Sequence, residues 1–150
     1  SRLSRSENER AVVLGASGQD GSYITELLLE RGLEVIGVGR RAVIKQAPRF
    51  RYEKIDLREE GPIRKLLLET RPSQIYNLAG MTSLVECEKN TLEAFQLNAF
   101  LPLCILEILR KFLPTTSFFQ AASSELYGSK ANSSPQTEET LFSPESISKV

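Results

Sequence analysis

The chain is 150 residues long, enough to bury one core and too short for two full domains. Its 19 basic and 19 acidic residues balance, with no run of like charge that would mark a nucleic-acid footprint. There is no histidine, which removes Ser-His-Asp triads, Cys-His pairs and most catalytic zinc sites, so no metal centre is expected and acid–base chemistry falls to Asp, Glu, Lys or Tyr.

In chain order, residues 1–10 carry no apolar h-region and read as a flexible leader, not a secretory signal, with the folded domain expected over 11–150. Residues 11–15, "AVVLG", form a short apolar run closed by glycine and predict a strand. Ile24, Leu27, Leu28 and Arg31 then recur on a 3.6-residue stripe, with Gly32 as the stop signal. Strands are predicted over 33–39 and 50–57. The next helix runs from about 59 to 70, with Ile63, Leu66 and Leu67 inward, Pro62 in its first turn and Pro72 just past its end. A fourth strand covers 74–80. A long helix covers about 92–112, with Leu92, Phe95, Ala99, Leu106 and Leu109 on one face and a kink or break at Pro102. A fifth strand covers 116–123, and the polar, turn-rich stretch after it reads as a loop before a helix that begins near Pro144. Cys87 and Cys104 make neither a CxxC site nor a disulfide framework; they read as small buried hydrophobes in a reducing cytoplasm. No stretch is expected to reach the apolar length of a membrane span.

Strands that are nearly all apolar and alternate with helices imply an α/β fold with a doubly wound parallel sheet of Rossmann type, covered on both faces. Ligands then bind at the carboxyl ends of the strands, near the topological switch point. "GASGQDG" stands at the first such end, with Gly15, Gly18 and Gly21 spaced three apart between a strand and a helix. Glycine there allows a tight turn, close approach of a pyrophosphate and helix-on-strand packing, while the helix N-terminus offers N–H donors. The expected cofactor-binding set is therefore Gly15, Ser17, Gly18, Gln19, Asp20 and Gly21, in which Asp20 also suits the helix dipole and points away from the phosphates. Glu34 starts the second strand, whereas Arg40 and Arg41 end it. Two guanidiniums suit a 2′-phosphate, which favours NADP over NAD. Asp56 and Leu57 are placed beside the adenine; Leu78, Ala79 and Gly80 pass under the adjoining ribose and nicotinamide.

"GASGQDGSY", "GRR", "IYNLAG" and above all "QAASSELYG" resemble the extended short-chain dehydrogenase/reductases that act on nucleotide sugars, most closely the GDP-mannose 4,6-dehydratase family. The resemblance runs over about 11–150. It implies a lyase in which a hexose C4 hydroxyl is oxidised by NADP, water is eliminated across C5 and C6, and the hydride returns to C6. It also implies GDP-mannose as substrate and a homo-oligomer. By motif, Ser123 takes the place of the hydroxyl residue at the C4 oxygen, Glu125 that of the acid/base at C5 and C6, and Lys149 that of the lysine of a YxxxK motif.

Two departures bear on this expectation. Met81-Thr82-Ser83 follows "NLAG" where relatives carry a Gln-Ser-His type of sequence, and "FSPESISKV" lacks the Pro-Tyr-Ala that relatives show between Ser146 and Ile147. A phenol has a pKa near 10, and a lysine one helical turn away brings it towards neutrality. Glu145, which stands four residues before Lys149, would be an anion at pH 7 with no proton to give. Three readings stay open: a dehydratase whose tyrosine segment and small substrate domain are absent from the sequence as it stands, a nucleotide-sugar reductase or epimerase, and a non-catalytic NADP-binding protein.

Overall fold

The structure, a computed structural model, describes residues 9–42, 46–80 and 84–121. Five strands, β1 (Arg10–Leu14), β2 (Glu34–Gly39), β3 (Phe50–Lys54), β4 (Gln74–Asn77) and β5 (Ser117–Gln120), pair in parallel in the order β3-β2-β1-β4-β5. The helices are α1 (Gln19–Glu30), α2 (Glu60–Thr70), α3 (Leu84–Lys89), α4 (Thr91–Phe95) and α5 (Leu101–Phe112). From β1 the chain walks outward to β3, then returns to the other side of β1 with β4. That reversal meets the expectation of a doubly wound sheet and puts the switch point between β1 and β4.

Both faces of the sheet are buried, which is why the strands read as unbroken apolar runs. Val12, Leu14, Ile36, Val38 and Ile75 pack against Ile63, Leu66 and Leu67 of α2 and Leu101, Ile105, Ile108 and Leu109 of α5. On the opposite face Ala11, Val13, Val35 and Tyr52 pack against Leu28 of α1. The two-residue period of the strands is what sorts neighbours in β1 to opposite sides. Each buried Leu, Ile or Val contributes about 1.5–3 kcal/mol relative to an exposed one. The two buried threonine hydroxyls are satisfied locally: Thr25 donates to the Gly21 carbonyl and Thr70 to that of Leu66, each at 2.7 Å. Helix α2 ends where Pro72 disfavours the helical conformation at Arg71, which turns left-handed (φ 44°, ψ 60°). Arg64 of α2 lies over the Phe112 ring at 5.2 Å and ties α2 to the end of α5.

The structure corrects several boundaries and one helix face. Arg10 belongs to β1, not to a leader; its side chain bonds Glu34 at 3.1 Å and the Thr70 carbonyl at 3.0 Å. Strands β3 and β4 end at Lys54 and Asn77, earlier than the sequence pattern suggests, and the residues that follow them line a cleft; β5 ends at Gln120. The long helix breaks as Pro102 requires. Without an N–H, Pro102 cannot bond to the residue four before it, and residues Gln96–Phe100 widen into a π-helical turn closed by Leu101 N–H to the Gln96 carbonyl. Of the five residues expected to share a face, only Leu109 is buried. Leu92, Phe95 and Leu106 are exposed, and the buried positions are Ala94, Leu101, Ile105, Ile108 and Leu109.

The expectation that no stretch reaches membrane-spanning length is also overturned: Thr91–Phe112 is long and apolar enough by length and composition. Its apolar content has a local cause, since one face of α5 packs on the sheet. Cys87 is buried as expected. Cys104 is only partly so, and desolvation, the larger cause, with the charge of Glu60 raises its thiol pKa.

Gly21 lies in the first turn of α1 against the backbone of Gly15 and Ala16. A Cβ there would overlap the Gly15 carbonyl oxygen and sit 2.7 Å from Ala16 Cα. Gly21→Ala should therefore lower the unfolding free energy by about 1–3 kcal/mol in urea titrations. An unchanged midpoint would mean that α1 rides further from β1 than its packing here indicates.

Candidate functional site

The carboxyl ends of four strands open onto one cleft of about 430 Å³. Gly15, Ser17 and Gly18 follow β1, Gly39 and Arg40 close and follow β2, Asp56, Leu57 and Arg58 follow β3, and Leu78, Ala79 and Gly80 follow β4; Asn90, Glu93 and Leu97 complete the wall. Gly15 is the pivot, with φ of +83° and a missing Cβ that would come 2.9 Å from Ala79 N and 3.0 Å from the Leu78 carbonyl carbon. An L side chain would meet both a strained backbone and a wall of peptide there. Its N–H bonds the Val38 carbonyl at 2.8 Å, which ties the turn to β2. Gly18 then caps α1 with its own extended backbone and no side-chain hydrogen bond, so the protein leaves this helix N-terminus without a side-chain acceptor.

The floor after β4 is held by Asn77, which is fully buried. Its Oδ1 accepts from Ala79 N–H at 3.2 Å, and its Nδ2 donates to Gln120 Oε1 at 2.9 Å. Its carbonyl accepts from Ala121 N–H at 3.0 Å, so one residue fixes both the Leu78–Gly80 floor and the exit of β5. Asn98 approaches Gly80 from the helix side, with Oδ1 2.9 Å from where a Cβ on that glycine would lie.

Charge gathers where β2 and β3 end. The Arg58 guanidinium grips Asp56 through Nε to Oδ1 at 2.9 Å and Nη2 to Oδ2 at 2.7 Å, and Arg58 N–H adds a third bond to Oδ1 at 3.0 Å. These bonds, the guanidinium's first and the backbone's second, draw the Asp56 carboxyl from 3.8 down to about 2. Arg40 reaches over the cleft to Glu93, Nη1 to Oε1 at 3.5 Å. Beneath, the Tyr52 hydroxyl is buried with no hydrogen-bond partner among the described residues, and it lies 2.7 Å from the position a Cβ on Gly39 would take.

The sequence-predicted residues divide clearly. Gly15, Ser17, Gly18, Arg40, Asp56, Leu57, Leu78, Ala79 and Gly80 come together in the cleft. Gln19, Asp20, Gly21 and Arg41 do not line it. Asp20 is in the first turn of α1, and Gly21 is spent on packing. The cleft also contains Arg58, Asn90, Glu93 and Leu97, and rests on Asn77, none of which the sequence reading singles out. Arg58 stands directly after the predicted Asp56-Leu57 pair and could have been drawn from it, whereas Glu93 lies in a segment whose sequence pattern draws attention only to its apolar residues. Ser123, Glu125 and Lys149 lie outside the described residues.

A parallel 3-2-1-4-5 sheet with a glycine turn at its switch point and basic residues after β2 defines a Rossmann-type dinucleotide-binding domain of the short-chain dehydrogenase/reductase class. The family model for GDP-mannose 4,6 dehydratase matches residues 12–149, and the chain belongs to that family. GDP-mannose 4,6-dehydratase of Vibrio cholerae is 34% identical over 92% of this chain and 41% of its own length, and GDP-mannose 4,6 dehydratase of Homo sapiens is 33% identical over 91% and 41%. The chain thus spans about two-fifths of the length of the curated relatives it matches. Among solved structures, UDP-glucose 4-epimerase of Thermus thermophilus, a complex with NAD, superposes with a TM-score of 0.79 at 26% identity over 93% of this chain and 46% of its own. The Thermotoga maritima UDP-glucose 4-epimerase gives 0.80 at 21% identity over 93% and 46%, a likeness of fold.

The depressed folded pKa of Asp56 means that its pairing with Arg58 stabilises the fold above pH about 4 and is lost as pH falls through about 2. Both side chains are more than a third exposed, so solvent screens the gain. Arg58→Gln should raise the Asp56 carboxyl from about 2 part of the way towards 3.8, since the backbone N–H bond from position 58 remains, read from its carboxyl carbon shift in an NMR titration. A midpoint still near 2 in that variant would show that Arg58 is not the cause.

Proposed function

We propose that this chain is the cofactor-holding part of a nucleotide-sugar 4,6-dehydratase that converts GDP-mannose to its 4-keto-6-deoxy product with internally recycled NADP. The observation that carries the reading is the convergence of the Gly15 to Gly18 turn, Arg40, Asp56-Leu57 and the Leu78–Gly80 floor in one cleft of a chain from this family. The cleft fits the group. The uncapped start of α1 suits a pyrophosphate, the missing side chain at Gly18, with only the Gly15 carbonyl nearby, leaves room for its close approach, and Arg40 is exposed where a 2′-phosphate would lie. When bound, NADP would take a hydride from the sugar's C4 and give it back at C6.

The chain's own part is to bind, orient and move protons. Gly15, Ser17 and Gly18 hold the pyrophosphate, Asp56 and Leu57 flank the adenine, and Leu78, Ala79 and Gly80 support the nicotinamide half. Ser123 holds the C4 oxygen. Glu125 takes the C5 proton and delivers a proton to the departing C6 oxygen, while Lys149 keeps positive charge beside the C4 proton relay. Asn77 fixes the end of β5, from which residues 123 and 125 follow within a few positions, and so serves as a positioning residue. Assembly as a homo-oligomer in the cytoplasm belongs to the same reading.

A second reading is favoured by a specific feature: Glu145 stands where the YxxxK motif would put its tyrosine, four residues before Lys149. If no tyrosine serves Lys149, the chain binds its cofactor and does no chemistry. Incubation of the intact protein with GDP-mannose separates the two, since a 4-keto-6-deoxy product supports the dehydratase and NADPH binding without product supports a non-catalytic NADP-binding protein. In the active protein Glu125→Gln should cut product formation by about 100-fold or more and leave the NADPH dissociation constant within about twofold. Undiminished turnover would remove Glu125 from the elimination step.

A further inference from the structure

Two cations, Arg40 and Arg58, and two carboxylates, Asp56 and Glu93, line the cleft, so its charge is balanced before any ligand enters. The two pairs differ in kind. Arg58 is fixed to Asp56 by several short bonds, whereas Arg40 touches Glu93 at 3.5 Å with its own side chain 81% exposed. Glu93 is the more buried partner, 22% exposed in the first turn of α4. Among the described residues Arg40 is its one ion-pair partner. Arg40 is thus the one cleft cation loosely enough held to be taken by another anion, and Glu93 is the group that the anion must displace.

We propose that Glu93 is a specificity-determining residue, a fixed counter-ion that parks Arg40 over the cleft and sets how strongly 2′-phosphorylated dinucleotides are preferred over unphosphorylated ones. The inference rests on the cofactor reading above. A 2′-phosphate would recruit Arg40 through charge-assisted hydrogen bonds only by releasing it from Glu93. A 2′-hydroxyl makes no such demand and leaves the Arg40–Glu93 pair in place. Glu93 therefore lowers affinity for the phosphorylated cofactor and makes that affinity depend on salt.

The test is isothermal titration of the protein with NADPH, NADH and adenosine 2′,5′-bisphosphate at low and high salt. Glu93→Gln keeps the size of the side chain and removes its charge. It should tighten NADPH and the bisphosphate by about threefold to tenfold and leave NADH within about twofold, the size expected when a largely solvated ion pair ceases to compete. Arg40→Gln should weaken NADPH, and the double variant should match Arg40→Gln alone, because Glu93 acts through Arg40. Equal changes for NADPH and NADH, or weaker NADPH binding in Glu93→Gln, would overturn the proposal while leaving the cofactor site standing. No binding of either dinucleotide to the unmodified protein would overturn the cofactor reading and the counter-ion role together.

Discussion

The cleft depends on peptide lying against peptide at the switch point. The turn after β1 passes so close to the segment after β4 that nothing larger than hydrogen fits between Gly15 and the Leu78–Ala79 peptide. Gly21 brings α1 onto that same turn from the other side. Parallel pairing of β1 with β4 sets the two segments side by side, and the Leu78 N–H bonded to the Leu14 carbonyl at 2.9 Å carries the pairing one step past the strand ends. Every other wall of the site is hung on this contact, because α1 leaves from one side of it and the floor from the other.

The fold is legible in the sequence because buried parallel strands leave so little freedom. Val12 to Leu14, Val35 to Val38 and Ile75 must be apolar on both faces, and helical stripes between them admit only a covered sheet. The glycine turn is legible for a similar reason, since its spacing comes from backbone sterics. Less can be read where the outcome rests on tertiary packing. A strand's last residue is set by where its neighbours stop pairing, which no local pattern encodes, so the apolar run points to a strand through Gly80 although β4 ends at Asn77. Asn77 itself reads as one polar residue in an apolar run. Its role emerges only when Gln120, 43 positions away, arrives beside it. Glu93 is hidden because its neighbours Leu92 and Phe95 dominate the apolar pattern of that segment, although both are exposed and Glu93 lines the cleft.

The polar side of the site shows a division of labour. At the glycine turn the protein offers backbone groups, which cannot be titrated and move only with the fold. At the ends of β2 and β3 it offers side chains: one guanidinium locked to Asp56, the other extended into solvent. Polar groups fixed by the fold and polar groups free to move are thus built from different materials. The buried Tyr52 hydroxyl lies at the junction of the two, close to Gly39 and Ser17. An unpaired hydroxyl in a dry interior costs about 1–3 kcal/mol.

The π-helical turn at Gln96–Phe100 has a consequence for how this protein can change over evolutionary time. One extra residue in a turn rotates the upstream helical segment by about 100° relative to the downstream one. Upstream, Glu93 lines the cleft, as does Leu97 within the turn itself; downstream, Leu101, Ile105 and Ile108 serve the sheet. A straight helix would have coupled the two, since a residue gained or lost at the ligand end would swing the whole core stripe out of register. With the wide turn between them, the ligand-facing half can drift in sequence and length while the core half keeps its seat. The site can therefore diverge within a family without the fold having to be solved again.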